Sequence, residues 1–305
     1  MTASHSSRSL AGGVLLAMLV AAFVALELWR DEVYGEPAPV ESVLYVRSGG
    51  VLKRMSLSYS ALLADVYWVR SVQYYGSTRL SRSKNKNYDL LYPLLDMTTS
   101  LDPGFNIAYR FGAIFLAEPY PGGAGRTDLA IALLEKGFRA NPGRWQYLQD
   151  IGFVHYWWIG DYEQAAGYFQ RAAGVPGSPW WLQSLAAVTY SQGGDRQTSR
   201  RLWQSLRDTA GDDWIRNNAV LRLAQLDALD AIDVLDALVR QHRLLAGSSL
   251  ASWAAMVQAG ALRGVPLDPA GVPYELDPGS GLVTVSRESP LYPLPAGRQA
   301  ALPRR

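Results

Sequence analysis

Residues 143–177 read GRWQYLQDIGFVHYWWIGDYEQAAGYFQRAAGVPG, and this stretch decides the architecture. Apolar residues recur at helical spacing on both sides of Gly160-Asp161, and each break carries Gly, Pro or Asp. Two short amphipathic helices joined by a tight corner cannot bury their apolar faces alone, so neighbouring segments must cover them.

The same landmarks return along the chain at a period of about 34 residues, the spacing of a helix-turn-helix repeat. In the quoted unit they are Trp145, Ile151-Gly152, Tyr156, Gly160-Asp161-Tyr162-Glu163-Gln164-Ala165, Phe169 and Ala172. Downstream, Ala187, Tyr190, Gly194, Ser199, Trp203 and Leu206 fall at successive positions; Ala219, Arg222, Ala231, Leu235 and Leu238 follow, with Arg222 replacing the usual aromatic. Upstream, Gly112, Phe115, Ala130, Leu134, Gly137 and Pro142 form a unit whose two helices are separated by a Pro- and Gly-rich insertion, Glu118 to Thr127. A more degenerate hairpin spans 57–103, with a long aromatic first helix, a basic loop from Arg79 to Asn87, and an Asp102-Pro103 end that matches Asn141-Pro142.

This pattern resembles the tetratricopeptide repeat (TPR) family, although Gly152 to Ala165 is one residue longer than the family spacing. The resemblance covers about residues 57–245. It implies an all-α fold: a TPR-like solenoid of about five helical hairpins, with a concave face lined mainly by the first helices. In such proteins particular first-helix positions face a ligand. Carried over, they are Tyr109 and Arg110; Gln149, Phe153, Tyr156 and Trp157; Trp181, Ser184 and Val188; and Arg216 and Asn217. Aromatic and arginine side chains are the usual hot spots of protein interfaces, so a peptide or partner helix is the expected ligand. The Lys and Asn clamp for a C-terminal carboxylate is absent apart from Arg216 and Asn217.

Before the array, Leu10 to Leu26 carries no charge and Trp29 closes the run. A span of about 20 apolar residues crosses a bilayer as a helix. Residues 10–29 therefore read as a transmembrane signal-anchor after a short tail, 1–9, and before a linker, 30–56. A cleaved signal peptide is the alternative, since Val20-Ala21-Ala22 offers small residues; the apolar run continues past that site, which favours the anchor. Arg8 lies before the run while Asp31, Glu32 and Glu36 follow Arg30. The positive-inside rule then leaves the tail in the cytoplasm and the bulk outside it, in a bacterium in the periplasm. After the array, a capping helix is expected within 246–264. A short extended or β-hairpin arm is expected within 265–305, where Asp268-Pro269-Ala270-Gly271 and Asp277-Pro278-Gly279-Ser280-Gly281 signal turns.

Composition narrows the chemistry. The 305 residues include 10 Trp and 17 Tyr but only three His and no Cys, so disulfides, thiol nucleophiles and cysteine-held metals are excluded. A formal charge of +2 from 29 basic and 27 acidic residues gives no basic face for nucleic acid. His155 has no partner at fixed spacing that would make it a catalytic base. Asp227, Asp230, Asp233 and Asp236 lack a calcium loop and read as a solvated helix face, and GGAGR at 122–126 is not a phosphate-binding loop. The basic loop at Arg79, Arg82, Lys84 and Lys86 reads as solvated. No catalytic, metal or cofactor residue is expected. The sequence therefore predicts a non-enzymatic, membrane-anchored TPR scaffold or assembly factor for a bacterial envelope complex of the secretion, pilus or export type. The alternative is a polysaccharide- or peptidoglycan-binding accessory protein whose aromatic groove stacks on sugars.

Overall fold

In a computed structural model the described residues are 16–26, 29, 49–56, 58–246 and 252–295. They are mainly helical, with two short strands, so the fold is all-α. The chain divides into two compact units, 1–102 and 103–305. The division falls at Asp102-Pro103, inside the span expected as one array. Proline has no N–H to continue α4, and Asp102 before it is extended (φ −126°, ψ 96°).

The first unit contains α1 (residues 16–26), α2 (Gly49–Met55), α3 (Ser60–Leu80) and α4 (Leu91–Leu101). Part of the expected anchor, 10–15 with 27 and 28, lies outside the described residues, as do the tail 1–9 and linker residues 30–48. Among the described residues no helix is long and apolar enough to cross a membrane. The end of the expected linker is a helix, α2, which packs on α4; Lys53 and Arg54 complement its carboxyl end. Helices α3 and α4 form the expected hairpin. Ala64, Tyr67, Ser71, Tyr74 and Tyr75 lie one helical stripe apart and are buried, facing Leu91, Leu94, Leu95, Thr98 and Leu101. Tyr74 donates its hydroxyl to the Asn87 carbonyl (2.6 Å), tying the polar loop to α3.

In the second unit each helix packs on the next. The order is α5 (Asn106–Ala117), α6 (Thr127–Ala140), α7 (Trp145–Val154), α8 (Tyr162–Ala173), α9 (Trp181–Gln192), α10 (Arg196–Thr209) and α11 (Asp213–Ala246). Two corners repeat the same chemistry. Gly160 and Gly194 take positive φ (76° and 91°), a conformation cheap only for glycine. Asp161 and Asp195 then cap the next helix, accepting from the N–H of Gln164 (3.0 Å) and Thr198 (2.9 Å). The extra residue between Gly152 and Ala165 is absorbed by a single π turn, His155–Ile159, closed by the Gly160 N–H on the His155 carbonyl (2.8 Å). The 118–127 insertion is held against α5, with the N–H of Arg126 on Leu116 O (2.7 Å) and of Gly125 on Glu118 O (2.8 Å).

The last hairpin expected from the sequence is instead one continuous helix, α11. Corners fall at Gly160 and Gly194, and the next position in that series is Ala228, followed by Leu229. With neither a glycine to turn nor an aspartate to cap, the helix runs on. The expected capping helix is also shorter: α12 covers only Trp253–Gln258, and residues 247–251 lie outside the described chain.

Strands β1 (Glu275–Leu276) and β2 (Val283–Thr284) pair antiparallel in the C-terminal arm, and β2 packs on α11. Buried Tyr274, Val283, Val285 and Leu291 close over Ala228, Leu235, Val239 and Met256. Polar contacts fix the arm. Arg243 donates to the carbonyls of Pro278, Gly279 and Ser280 (2.6–2.9 Å), Asp236 accepts from the Val283 N–H (3.0 Å), and Trp253 Nε1 donates to Tyr274 O (2.8 Å). Burial pushes the Tyr274 hydroxyl up to about 12.

Candidate partner-binding surface

The first helices of the second unit are α5, α7, α9 and the amino half of α11. Three side-chain contacts join them in series. Arg110 on α5 makes a two-pronged ion pair with Asp150 on α7, Nε to Oδ2 at 2.5 Å and the second nitrogen to Oδ1 at 3.0 Å. Trp145, opening α7, meets Trp181, opening α9, edge to face at 5.9 Å. Trp180, just before α9, meets Trp214, near the start of α11, at 5.6 Å. Burial pushes the Asp150 carboxyl up while the Arg110 guanidinium opposes it; two parallel charged hydrogen bonds then fix the register of the two helices.

The α5 end of this surface is apolar. Ile107, Phe111 and Ile114, at i, i+4 and i+7, are each about half exposed. On α7 the π turn turns Trp157 outward, where it remains 62% exposed and lies flat on Phe153 (4.4 Å between rings, 9° apart). Phe153 in turn contacts Phe169 edge-on at 5.0 Å, so the outermost tryptophan rests on a ring that reaches the core. Rigid aromatics exposed over a packed support are the anatomy of a binding hot spot.

Of the positions carried over from the family pattern, Trp157, Trp181, Arg216 and Asn217 are exposed, while Arg110, Gln149, Phe153, Tyr156, Ser184 and Val188 are half-buried. Tyr109 does not belong to the surface. It is fully buried, with its ring over Gly137 and edge-on to Tyr147 at 5.3 Å, because the small residues Ala108, Gly112 and Ala113 turn that side of α5 inward. Tyr156 leans toward the α8–α9 core and contacts Tyr162 at 5.1 Å. Arg216 is folded back on its own helix start, paired with Asp213 and donating to Ala210 O (2.7 Å). The pattern missed Trp145, Trp180 and Trp214. Their signal was in the sequence: Trp145 and Trp181 are 36 residues apart, and Trp180 and Trp214 are 34 apart.

The residues considered for chemistry have other occupations. His155 stacks on Tyr168 at 5.4 Å inside the π turn, and burial lowers its pKa against a smaller pull from Asp161. The aspartate series on α11 is more than a solvated face. Asp230 and Asp233 bind Arg196 of α10 (3.0 and 2.5 Å), and Asp227 and Asp230 bind Arg200 (2.6 Å to Asp230). Among the described residues no group of three or more His, Asp or Glu side chains is placed to hold a metal ion. The chain matches no family model, no curated protein and no solved structure.

Proposed function

We propose that the protein is a membrane-anchored, TPR-like scaffold that presents the first-helix surface of its second unit to a protein or peptide partner in a bacterial envelope complex. One observation carries this reading. Trp157, Trp180, Trp181 and Trp214 keep 37–64% of their surface exposed along successive first helices, and a partner covering them would remove large apolar area from water at small entropic cost. The uncharged run from Leu10 to Leu26 supports the anchor, and its flanking charges support a periplasmic bulk.

The test is site-specific photo-cross-linking in cells from Gln149 on α7 and from Val220 on α11. The scaffold reading expects one discrete protein adduct from both positions, lost in the Trp157→Ala/Trp181→Ala double variant while the purified variant melts like the parent. If both probes yield no protein adduct and the purified chain is retained on peptidoglycan or polysaccharide through Trp157, the sugar-binding reading replaces it.

A further inference from the structure

Helix α3 is apolar on two opposite sides. Its buried stripe, through Tyr67, Ser71 and Tyr74, faces α4. Directly across the helix, Leu62, Val66, Val69 and Leu80 stand at i, i+4, i+7 and i+18 and keep 40–83% of their surface exposed. Gln73, also exposed, is the polar member of this line, which runs about 27 Å along the helix. A helix with apolar residues on both sides has two surfaces to bury, and the packing on α4 uses one.

Charge identifies what the other side suits. Residues 49–88 hold seven basic residues and one acidic, Asp65, whereas the whole chain holds 29 and 27. Positive charge is therefore concentrated around α3, and the remainder of the chain is net acidic. Lys53 and Arg54 precede the apolar line and Arg82 follows it; all three are exposed, and among the described residues none has a carboxylate partner. Two copies pairing through this side would set like charges against each other. A bilayer with anionic phospholipid meets both features at once, taking the apolar side chains at the acyl boundary and the cations at the headgroups. Since α3 is not long and apolar enough to cross a membrane, it would lie along the surface.

We infer that the outer side of α3 docks on an anionic membrane surface, with Leu62, Val66 and Val69 in the interface and Lys53, Arg54 and Arg82 among the headgroup phosphates. The inference rests on the anchor reading, because a chain anchored through residues 10–29 keeps a bilayer close to α3. It gives the first unit a task of its own, which is to hold the anchored chain to the bilayer at a second point.

The chain has no cysteine, so a single Gln73→Cys places a dye in the middle of the line. The labelled full chain is reconstituted into phosphatidylcholine vesicles with and without phosphatidylglycerol, each containing a lipid that bears a quencher. Docking predicts quenching at least about twofold stronger with phosphatidylglycerol, and loss of that excess in about 0.5 M salt. Lys53→Glu with Arg54→Glu and Arg82→Glu should also remove the excess while the variant melts like the parent. Equal quenching in the two vesicles overturns the inference. So does disulfide formation between unlabelled Gln73→Cys chains in place of quenching, which assigns this side of α3 to a second copy. Carbonate extraction reads the anchor separately. A chain that carbonate releases but phosphatidylglycerol vesicles still quench refutes the anchor alone; one that carbonate retains and whose dye stays unquenched refutes the docking alone.

Discussion

Gly152 of α7 stands directly against Ala165 and Phe169 of α8. A methyl there would lie 2.6 Å from Phe169 Cδ1 and 3.1 Å from the Ala165 carbonyl. Gly152→Val should therefore lower the unfolding free energy in urea by about 1–3 kcal/mol. Gly167, also helical, has only the Tyr190 hydroxyl at 3.7 Å, so Gly167→Ala should be neutral or gain up to about 1 kcal/mol. Equal losses at the two sites would show that backbone freedom rather than contact governs them. His155 sets a pH dependence. Its folded pKa lies below the ordinary 6.5, so the unfolded chain takes up the proton more readily. Its contribution is intact above about pH 6.5 and is lost as pH falls from there toward the folded value. Melts of His155→Gln should consequently soften less than the parent between about pH 7 and about pH 5.5. Residue roles were legible where the repeat period marked them, as for Trp203, a landmark of the repeat that is packed in the core and 2% exposed. Tyr109 was misassigned because a family position does not encode which side of α5 is small enough to approach α6.

Helices α10 and α11 show what pattern reading loses at the next scale. Spacing identified the aspartates at 227, 230 and 233 as one face, but their cations come from Arg196 and Arg200 on a neighbouring helix, a pairing that only the packed structure supplies. The aspartates are half exposed or more, so each bridge contributes about 0.2–1 kcal/mol. Arg196→Ala with Arg200→Ala should cost about 1–2 kcal/mol at low ionic strength, shrinking in about 1 M salt. A loss unchanged by salt would point to packing of the arginine stems instead. The α7–α8 and α9–α10 hairpins could be read from sequence because glycine and aspartate at a corner are local chemistry. The missing corner in α11 was overlooked because Ala231, Leu235 and Leu238 suit a continuous helix as well as a second one. The π turn was visible only as one surplus residue.

For the second unit as a whole, stability is a sum of contacts between neighbours, and its end must be covered. The arm does this over Leu235, Val239 and Met256. A chain stopped after Arg263 should bind a hydrophobic dye and melt earlier than the parent; unchanged melting would mean that the arm is merely an appendage. The anchor and its orientation rest on sequence alone: a stable alkaline phosphatase fusion after Arg305 should be active, and an inactive one would reverse the placement. The continuity of α11 through Ala228 also bears on how such a protein can change over evolutionary time. A duplicated hairpin inserted within 143–211 would bring its own glycine corner of the kind at Gly160 and Gly194 and could lengthen the array in frame. Between Asp213 and Ala246 the helix offers no joint to accept one, so the array is open to growth on its amino side and closed along α11, where the arm covers it.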